Sequence, residues 1–313
     1  MLRRIAGSLF WAARYLERAQ WRGRLVDVNY RLLLEVPPRE AEPWEPLVRI
    51  TAEQELYATL HSQVSEASVI DFFVFEKENR SSIKNCIEAL RTNLSPLRHL
   101  ISSELWLAVN RLYLESSRWS AQTLAANGVS AFFADLQRHF YTIEGIIVNT
   151  MPRDLAYDLI ELGTMLERPD NVARLLDVKY HYLLPRLEDI GGPADLRQWA
   201  AVLRSASAFE AFRKLYGHAI TVNRVVEILV FDPTFPRSMR FCIERLAQVL
   251  ASIAAREEEP AAETLPYADL LGVLRAGSAE QTIAGGLHEF LIGIEAMYAR
   301  LAEQVFDHYM ALE

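Results

Sequence analysis

Charged side chains recur at one spacing in two parts of the chain, and their types suit either the binding of a charged ligand or acid/base chemistry. In the first part, Glu17, Arg24 and Asp27 have the spacing that would place them on one side of a helix. At about 100° per residue, Arg24 lies within about 20° of Glu17, and Asp27 within about 80°. The complete set of predicted site residues is Glu17, Arg18, Arg24, Asp27, Glu167, Arg168, Asp170, Arg174 and Asp177.

Apolar residues share the stripe that carries these charges. Phe10 and Val28 lie within about 20° of Glu17 on the same helix, so the stripe should face the core. An unpaired buried charge is costly, so the carboxylates and guanidiniums should be paired. They form either an internal salt-bridge network that fixes the register of the helices or a cleft that binds a charged ligand or peptide. A ligand with carboxylate and amine groups would complement such a cleft.

A second group of polar residues lies where an apolar segment ends and a new helix begins. Asn79 and Ser82 hold this position in the first half of the chain, and Arg237 and Ser238 in the second. Ser and Asn are common helix caps, which favours a helix–turn–helix corner. The alternative is an anion site at the N-terminus of the new helix. Two arginines further along would then contribute, namely Arg91 and Arg98.

Familiar catalytic and metal-binding motifs are missing from the sequence. The seven histidines are scattered and form neither His-Glu-x-x-His nor Glu-x-x-His, so neither a zincin nor a ferritin-type di-iron bundle is predicted. There is no P-loop, dinucleotide fingerprint or Gly-x-Ser-x-Gly. Cys86 and Cys242 are expected to be small core residues. We therefore expect no metal and no cofactor.

The elements that must position these residues are helices, because no segment alternates like a strand over a useful length. Ser102 and Ser278 should begin helices, and Pro169 should kink or split one. The predicted long helices span residues 3–35, 80–100, 103–126, 130–149, 153–184, 207–231, 236–256 and 279–310.

The chain also contains an internal repeat. At a shift of 150 residues, Leu-Glu-Arg followed by Arg-Leu-x-Asp-Val-x-Tyr occurs twice, beginning at Leu16 and Leu166. At a shift of 156, a block around Cys86 matches one around Cys242, and a weaker match pairs Glu144 with Glu295. We expect two tandem copies of one unit, residues 1–150 and 151–313. Since no flexible linker separates them, they should form one continuous all-α helical bundle with pseudo-twofold symmetry.

Composition and charge exclude several classes of function. The chain has 313 residues and a formal net charge of −8, which argues against a nucleic-acid binder and against a basic membrane-surface helix. No apolar run is long enough to cross a bilayer. The apolar start runs into Arg14, Glu17 and Arg18 without a signal-peptide cleavage site. With two cysteines only, the expected location is the cytoplasm.

These motifs resemble those of a bacterial family known as Alpha-E, and the resemblance covers the whole chain. Phe10-Trp11-x-x-Arg14-Tyr15-Leu16-Glu17-Arg18 is similar to its opening motif, and Leu166-Glu167-Arg168 to its second. Asn79-Arg80-Ser81-Ser82-Ile83 resembles the family's Asn-Pro-x-Ser-Ile turn, and Pro236-Arg237-Ser238 its later Pro-Arg-Ser turn. One departure is Gln20-Trp21, where the family usually has an acidic residue followed by Asn. If the first copy forms half of a polar site, that half has changed.

The resemblance implies association with other proteins and no known reaction. Alpha-E proteins are encoded beside, or fused to, circularly permuted ATP-grasp ligases, often near transglutaminase-like peptidases. We therefore expect a non-catalytic accessory subunit of an ATP-grasp-type peptide or amide ligase, which helps to bind a peptide or amino-acid-like substrate. The alternative is an enzyme of amide formation or cleavage that uses the Glu-Arg-Asp cleft. A pocket for a small apolar ligand is disfavoured by the charges on the stripe.

Overall fold

The computed structural model describes residues 3–35, 44–182, 191–257 and 267–310, and within these ranges it contains helices and no β-strand. The all-α fold class is thus confirmed. The α-helices are α1 Arg3–Glu35, α2 Glu45–Ile50, α3 Gln54–Leu60, α4 Glu66–Val74, α5 Ile83–Leu94, α6 Ser103–Ser116, α7 Ala121–Asn127, α8 Val129–Thr150, α9 Leu155–Asp177, α10 Pro193–Ser205, α11 Phe209–Tyr216, α12 Val222–Val226, α13 Met239–Glu257, α14 Tyr267–Ala276, α15 Ala279–Gly285 and α16 Leu287–Tyr309. A 3-10 turn spans Ser95–Leu97, and π-helical segments span Val178–Tyr182 and Glu227–Phe231.

Serine side chains begin several helices, two of them at predicted positions. The Ser102 hydroxyl accepts a hydrogen bond from the Leu105 amide (3.2 Å), and the Ser278 hydroxyl accepts one from the Gln281 amide (3.4 Å). Each bond satisfies an amide that the first helical turn leaves without a partner. Helix initiation at these points is therefore encoded locally.

Three helices that the sequence predicts as continuous are interrupted. The segment predicted at 103–126 is broken before α7, where Ser120 accepts a hydrogen bond from the Thr123 amide (3.2 Å). Gly217 ends α11 with a φ of +72°, and Gly286 separates α15 from α16 with a φ of +105°. Only glycine adopts such angles readily, so these two residues stop the helices.

Pro169 does not split α9. α-Helical geometry runs from Leu155 to Asp177 on both sides of the proline, and π-helical geometry then follows. Proline removes one backbone hydrogen bond, and the remaining bonds of this long helix maintain it. The predicted helix end at residue 184 lies outside the described residues, as do the proline-rich segment at 37–43 and the Glu-rich segment at 258–260.

The first compact unit comprises Met1–Thr164 and Tyr309–Glu313. Within it, α1 packs against α5 and α8, and α6 packs against the same two helices. Four helices, each with one apolar side, thus enclose a common core. Fully buried aromatic rings in this unit include Phe10, Phe72, Phe73, Phe133 and Phe140.

A glycine allows α1 and the first part of α9 to come close together in this unit. A Cβ atom on Gly163 would lie 2.4 Å from the carbonyl oxygen of Phe10 and 3.1 Å from the Cβ of Ala13. A side chain of any size would therefore overlap the backbone of α1. Gly163 permits a contact that no other residue would allow without movement.

The second compact unit comprises Met165–His308. In it, α13 packs against α14, α12 packs against α15, and all four helices contact the π-helical segment Glu227–Phe231. Ile228, Leu229 and Val230 of this segment are fully buried. The Phe231 ring lies 5.9 Å from the Phe290 ring of α16. The division into two duplicated domains, residues 1–150 and 151–313, stays a prediction. The existence of two compact units does not test whether the two halves arose by duplication.

Candidate functional site

The glutamates of the two Leu-Glu-Arg motifs are interior residues. Glu17 on α1 and Glu167 on α9 are each 2% exposed, and Arg24 is 6% exposed. The other six predicted site residues are half-buried, namely Arg18, Asp27, Arg168, Asp170, Arg174 and Asp177. The helical spacing therefore predicted correctly that this stripe turns away from bulk solvent.

In the first unit, amide side chains connect α1 to α8. Gln20 Nε2 donates to a Glu144 carboxylate oxygen (3.0 Å), and Gln137 Nε2 donates to the Gln20 carbonyl oxygen (2.9 Å). Arg24 Nη2 donates to Gln137 Oε1 (3.4 Å). These polar groups bind one another, as in a contact that fixes the register of two helices.

Asp27 pairs with a residue on its own helix. Arg31 Nε donates to its carboxylate (3.0 Å). Burial raises the pKa of Asp27 above its usual value, although Arg31 acts to lower it. Asp27 therefore shares a position on α1 with Glu17 and Arg24, as predicted, but the residue that it binds is Arg31.

In the second unit, an ion pair lies on α9. Arg174 Nε donates to Asp170 Oδ2 at 2.9 Å, and both side chains are 33% exposed. Burial acts to lower the pKa of Arg174, but the hydrogen bond that it donates to Asp170 and the charges of Asp170, Glu295 and Glu167 raise the pKa overall. Arg174 is therefore held in its charged form by carboxylates from two helices, α9 and α16.

A third carboxylate of α9 binds a histidine of α16. His288 Nδ1 lies 2.5 Å from Asp177 Oδ1, and the two side chains are 28% and 26% exposed. This hydrogen bond raises the pKa of His288 above its usual value, against the opposing effect of burial. Glu289 and Glu295 add to the increase through their charges.

Glu295 completes the group from α16. Burial raises its pKa, and the charges of Asp170 and Asp177 raise it further, while Arg174 and His288 act to lower it. We call this set the α9–α16 cluster, and its members are Glu167, Asp170, Arg174, Asp177, His288 and Glu295. It contains four carboxylates, one guanidinium and one imidazole, contributed by two helices.

A buried tyrosine lies near the same cluster. Tyr298 of α16 is 3% exposed, and its hydroxyl has no hydrogen-bond partner among the described residues. Burial raises its pKa well above the usual value, and the charges of Cys242 and Asp170 contribute. Its phenol therefore stays protonated and retains a donor near Asp170.

The arginines that follow the two glutamates have different surroundings. The Arg18 guanidinium lies 5.9 Å from the centre of the Tyr15 ring. Arg168 Nη1 donates to the carbonyl oxygen of Pro236 (3.5 Å), in the turn before α13. The Arg168 contact joins the second Leu-Glu-Arg motif to the Pro-Arg-Ser turn within the second unit.

The turn residues singled out in the sequence make local contacts. Asn79 Nδ2 donates to the Phe72 carbonyl oxygen (3.1 Å), and Asn79 Oδ1 accepts from the Ser81 amide (3.0 Å). Ser82 accepts from the Asn85 amide (3.4 Å), and Ser238 accepts from the Phe241 amide (3.0 Å) while donating to the Asp232 carbonyl oxygen. These bonds are those of helix caps and tight turns.

Of the three remaining arginines, Arg91 and Arg98 do not lie at those helix starts, whereas Arg237 directly precedes the Ser238 cap of α13. Arg91 Nε donates to Asn110 Oδ1 of α6 (2.9 Å) and lies 4.5 Å from the centre of the Tyr113 ring. Arg98 lies 4.6 Å from the centre of the Trp106 ring, and Arg237 is half-buried. For Arg91 and Arg98 the observed partners are aromatic and amide groups of α6, which favours a packing role.

Gln137, Glu144, His288 and Glu295 are among the residues of these arrangements that are not in the predicted set, although the repeat gives a signal for them. Gln137 and His288 are separated by 151 positions, which is also the separation of Glu144 and Glu295. Following the weak repeat match backward from Glu144 and Glu295 would have identified Gln137 and His288. Chemistry alone did not, because a lone glutamine or histidine on a helix is common.

The described residues contain no helix with the length and apolar character that a bilayer span requires.

The family model Alpha-E, described as "a predicted alpha-helical domain with a conserved ER motif", matches residues 1–310. This chain has Glu-Arg pairs at 17–18 and 167–168.

Uncharacterized protein Rv2567 of Mycobacterium tuberculosis is 23% identical over 262 residues, which cover 78% of this chain and 29% of the relative. Uncharacterized protein Mb2597 of Mycobacterium bovis is similar to the same degree, 23% over 262 residues. The chain thus spans 29% of the length of these relatives. No solved structure matches it significantly.

Proposed function

The chain belongs to the Alpha-E family, and from this premise we propose that it is a non-catalytic accessory subunit of an ATP-grasp-type ligase of peptide or amide bonds. Its role is to hold the ligase's amino-acid-like or peptide substrate at the α9–α16 cluster. The ATP-dependent chemistry belongs to the partner, since the sequence contains no nucleotide-binding motif.

The observation that carries the proposal is that carboxylates from α9 and α16 lie together with one guanidinium and one imidazole in the cluster. Burial raises the pKa of Glu295, and the charges of Asp170 and Asp177 raise it further, although Arg174 and His288 act to lower it. A substrate ammonium group would favour the ionised form of these carboxylates. The cluster thus has the electrostatic character of a site for a primary amine.

Arg174 gives the same site a group that could bind the carboxylate of a ligand. Its Nε is bound to Asp170 (2.9 Å), and its Nη groups donate no hydrogen bond to a described residue. A guanidinium can bind a carboxylate through these groups. A ligand with both an ammonium and a carboxylate, such as an amino acid or a peptide end, would therefore complement the cluster.

The lengths of the relatives support an accessory role. The matched segment makes up 29% of each of the two mycobacterial proteins, so in them it is one part of a larger chain. A segment that functions beside other domains in one polypeptide can function beside a separate subunit in another. This argument concerns association and does not identify the chemistry.

We assign the substrate to the second unit because, of the six cluster positions, two are occupied by neutral amides in the first unit. If the chain arose by duplication, Gln20 corresponds to Asp170 and Gln137 to His288. In the first unit these amides bind Glu144 and Arg24. The first set then serves packing, while the second keeps the charges that a ligand needs.

The first test is physical association with the ligase. The chain is co-expressed with an ATP-grasp ligase encoded beside it, and the mixture is separated by size-exclusion chromatography at micromolar concentration. We expect one peak that contains both chains. Two separate peaks would contradict the accessory role.

The second test measures substrate binding by calorimetry with free amino acids and short peptides. We expect Glu295→Gln to weaken binding by about tenfold or more, since a hydrogen bond to a charged group contributes about 1.5–3 kcal/mol. Glu144→Gln, at the corresponding position of the first unit, is the matched control and should leave affinity unchanged. Equal affinities for wild type and Glu295→Gln would refute the assignment of the site.

One observation favours a second candidate, an enzyme that forms or cleaves amides. A histidine hydrogen-bonded to a carboxylate, as in the Asp177–His288 pair, is an arrangement that supports general acid/base catalysis. In that case Glu167→Gln should abolish turnover by the chain alone while leaving the melting temperature nearly unchanged. A large loss of stability with no effect on activity would assign Glu167 to the fold.

A further inference from the structure

Three side chains able to bind a metal converge in the first unit, and none of them is a member of the α9–α16 cluster. His61 follows α3, Asp71 lies on α4, and Glu76 lies in the turn after α4. One ligand atom from each residue lies within 4.8 Å of those of the other two. A cation between them would need only small side-chain rotations to reach ordinary metal–ligand distances.

None of the three has a competing strong partner among the described residues. His61 Nε2 is shielded from solvent and has no hydrogen-bond partner there. The Asp71 and Glu76 carboxylates form no ion pair with a described Lys or Arg, and Glu76 accepts only the backbone amide of Glu78 (3.0 Å). A buried imidazole nitrogen without a partner is costly, and a metal ion would satisfy it.

The connection between α3 and α4 is held in a fixed conformation by its own contacts. Ser65 and Ser68 form a capping box at the start of α4, and the Tyr57 hydroxyl donates to Ser68 Oγ (2.7 Å). The His61 ring packs 4.9 Å from the Tyr57 ring and 6.1 Å from the Phe72 ring. The imidazole is therefore preorganised beside the two carboxylates.

The electrostatics of the group agree with a site for a cation. A carboxylate oxygen of Asp71 lies within 4.8 Å of one of Glu76, and both side chains are half-buried. Two like charges thus lie close together in a partly desolvated position. A divalent ion would turn this repulsion into attraction.

We propose that His61, Asp71 and Glu76 bind a divalent transition-metal ion. One imidazole nitrogen and two carboxylate oxygens suit Zn²⁺ or Mn²⁺. Three protein ligands leave at least one coordination position for water or another ligand. The ion would also tie the end of α3 to α4 and the turn that follows it. This site is independent of the proposed function, because its residues belong to the first unit and to no part of the α9–α16 cluster.

Sequence motifs do not reveal such a site. The ligands come from an interhelical connection, a helix and a turn, so their spacing matches no i, i+4 pattern. The sequence-based expectation of no metal rested on those patterns.

The test is metal uptake by the full chain after chelator treatment. The chain is dialysed against ZnCl₂ or MnCl₂, and bound metal is measured by elemental analysis. We expect one equivalent of metal per chain. Asp71→Asn and Glu76→Gln should each lower the metal affinity by more than roughly 10- to 100-fold, which is the loss caused by removing a residue that only hydrogen-bonds to a metal ligand. These two changes keep side-chain volume, and circular dichroism checks that the variants fold.

His61→Ala should also lose the metal, whereas His99→Ala, which removes an exposed histidine outside the group, should keep it. Co²⁺ substitution gives a second readout, because loss of the His61 nitrogen should change the visible absorption of the bound ion. Absence of stoichiometric uptake of both metals by the wild type would overturn the proposal. Unchanged affinity in Asp71→Asn would do the same.

Discussion

At the scale of single residues, the Asp177–His288 pair is the most specific chemical feature of the second unit. The hydrogen bond to Asp177 raises the pKa of His288 above 6.5, its ordinary value, although burial opposes it. A histidine with a raised pKa in the folded state binds its proton more tightly there than in the unfolded chain. Its stabilising effect is thus complete below pH 6.5 and is lost as the pH rises through the folded-state pKa.

Asp177→Asn should therefore lower the pKa of His288. The amide cannot supply the negative charge that favours the imidazolium ion. NMR titration of the histidine ring protons measures the change directly. Denaturant unfolding at several pH values should also show a smaller loss of stability above pH 6.5 in the variant.

Asp269→Asn provides the control for this measurement. Asp269 is an exposed residue of α14 and is not among the causes of the His288 pKa shift. It should leave the titration of His288 unchanged. If Asp177→Asn leaves the pKa of His288 unchanged, the raised pKa is caused by Glu289 and Glu295. Asp177 and His288 would then not be a coupled pair.

At the scale of helices, the contact between Gly163 and α1 should limit which residues α9 tolerates. A Cβ at this position would lie 2.4 Å from the Phe10 carbonyl oxygen. Overpacking of this kind costs typically about 1–3 kcal/mol. We expect Gly163→Ala to lower the free energy of unfolding by a similar amount, because the gain in helix propensity of about 1 kcal/mol only partly offsets it.

Gly145→Ala in α8 separates the two contributions. No atom lies within 4 Å of a Cβ built on Gly145, so only helix propensity changes. This variant should be more stable than the wild type by up to about 1 kcal/mol. Denaturant unfolding of both variants measures the difference, and a stabilising Gly163→Ala would mean that α1 and α9 can move apart at little cost.

The helices were largely predictable because they depend on local signals. α1 was predicted at 3–35, as observed, since a long apolar stripe without proline favours one helix. The break before α7 was missed, because Ser120 resembles any polar surface residue until its hydroxyl is seen to bind the Thr123 amide. Pro169, which was expected to kink or split its helix, does not split α9, since a long helix can lose one hydrogen bond and continue.

The site was less predictable because it depends on pairing between helices. Helical spacing placed Glu17 and Glu167 correctly in the interior, since burial follows from the position of a residue on one helix. It could not show that α16 contributes His288 and Glu295 to the residues of α9. For the same reason it gave no indication of His61 beside Asp71 and Glu76.

At the scale of the whole molecule, the accessory role makes a prediction that separates substrate binding from ATP chemistry. If the α9–α16 cluster holds the substrate and the partner ligase binds ATP, then substitutions in the cluster should change only the KM for the amine substrate. The combined variant Asp177→Asn/Glu295→Gln should raise the KM of the complex for its amine substrate by roughly 10- to 100-fold. The KM for ATP should stay unchanged, since no group of the cluster belongs to the ATP site.

This separation also distinguishes the accessory role from that of an enzyme. Loss of uniform binding raises KM and leaves kcat in place, whereas loss of a group that acts only in the transition state lowers kcat. Steady-state kinetics of the assembled complex, with each substrate varied in turn, resolve the two. A fall in kcat with both KM values unchanged would mean that Asp177 and Glu295 act on the reacting groups, and the chain would then be a catalytic subunit.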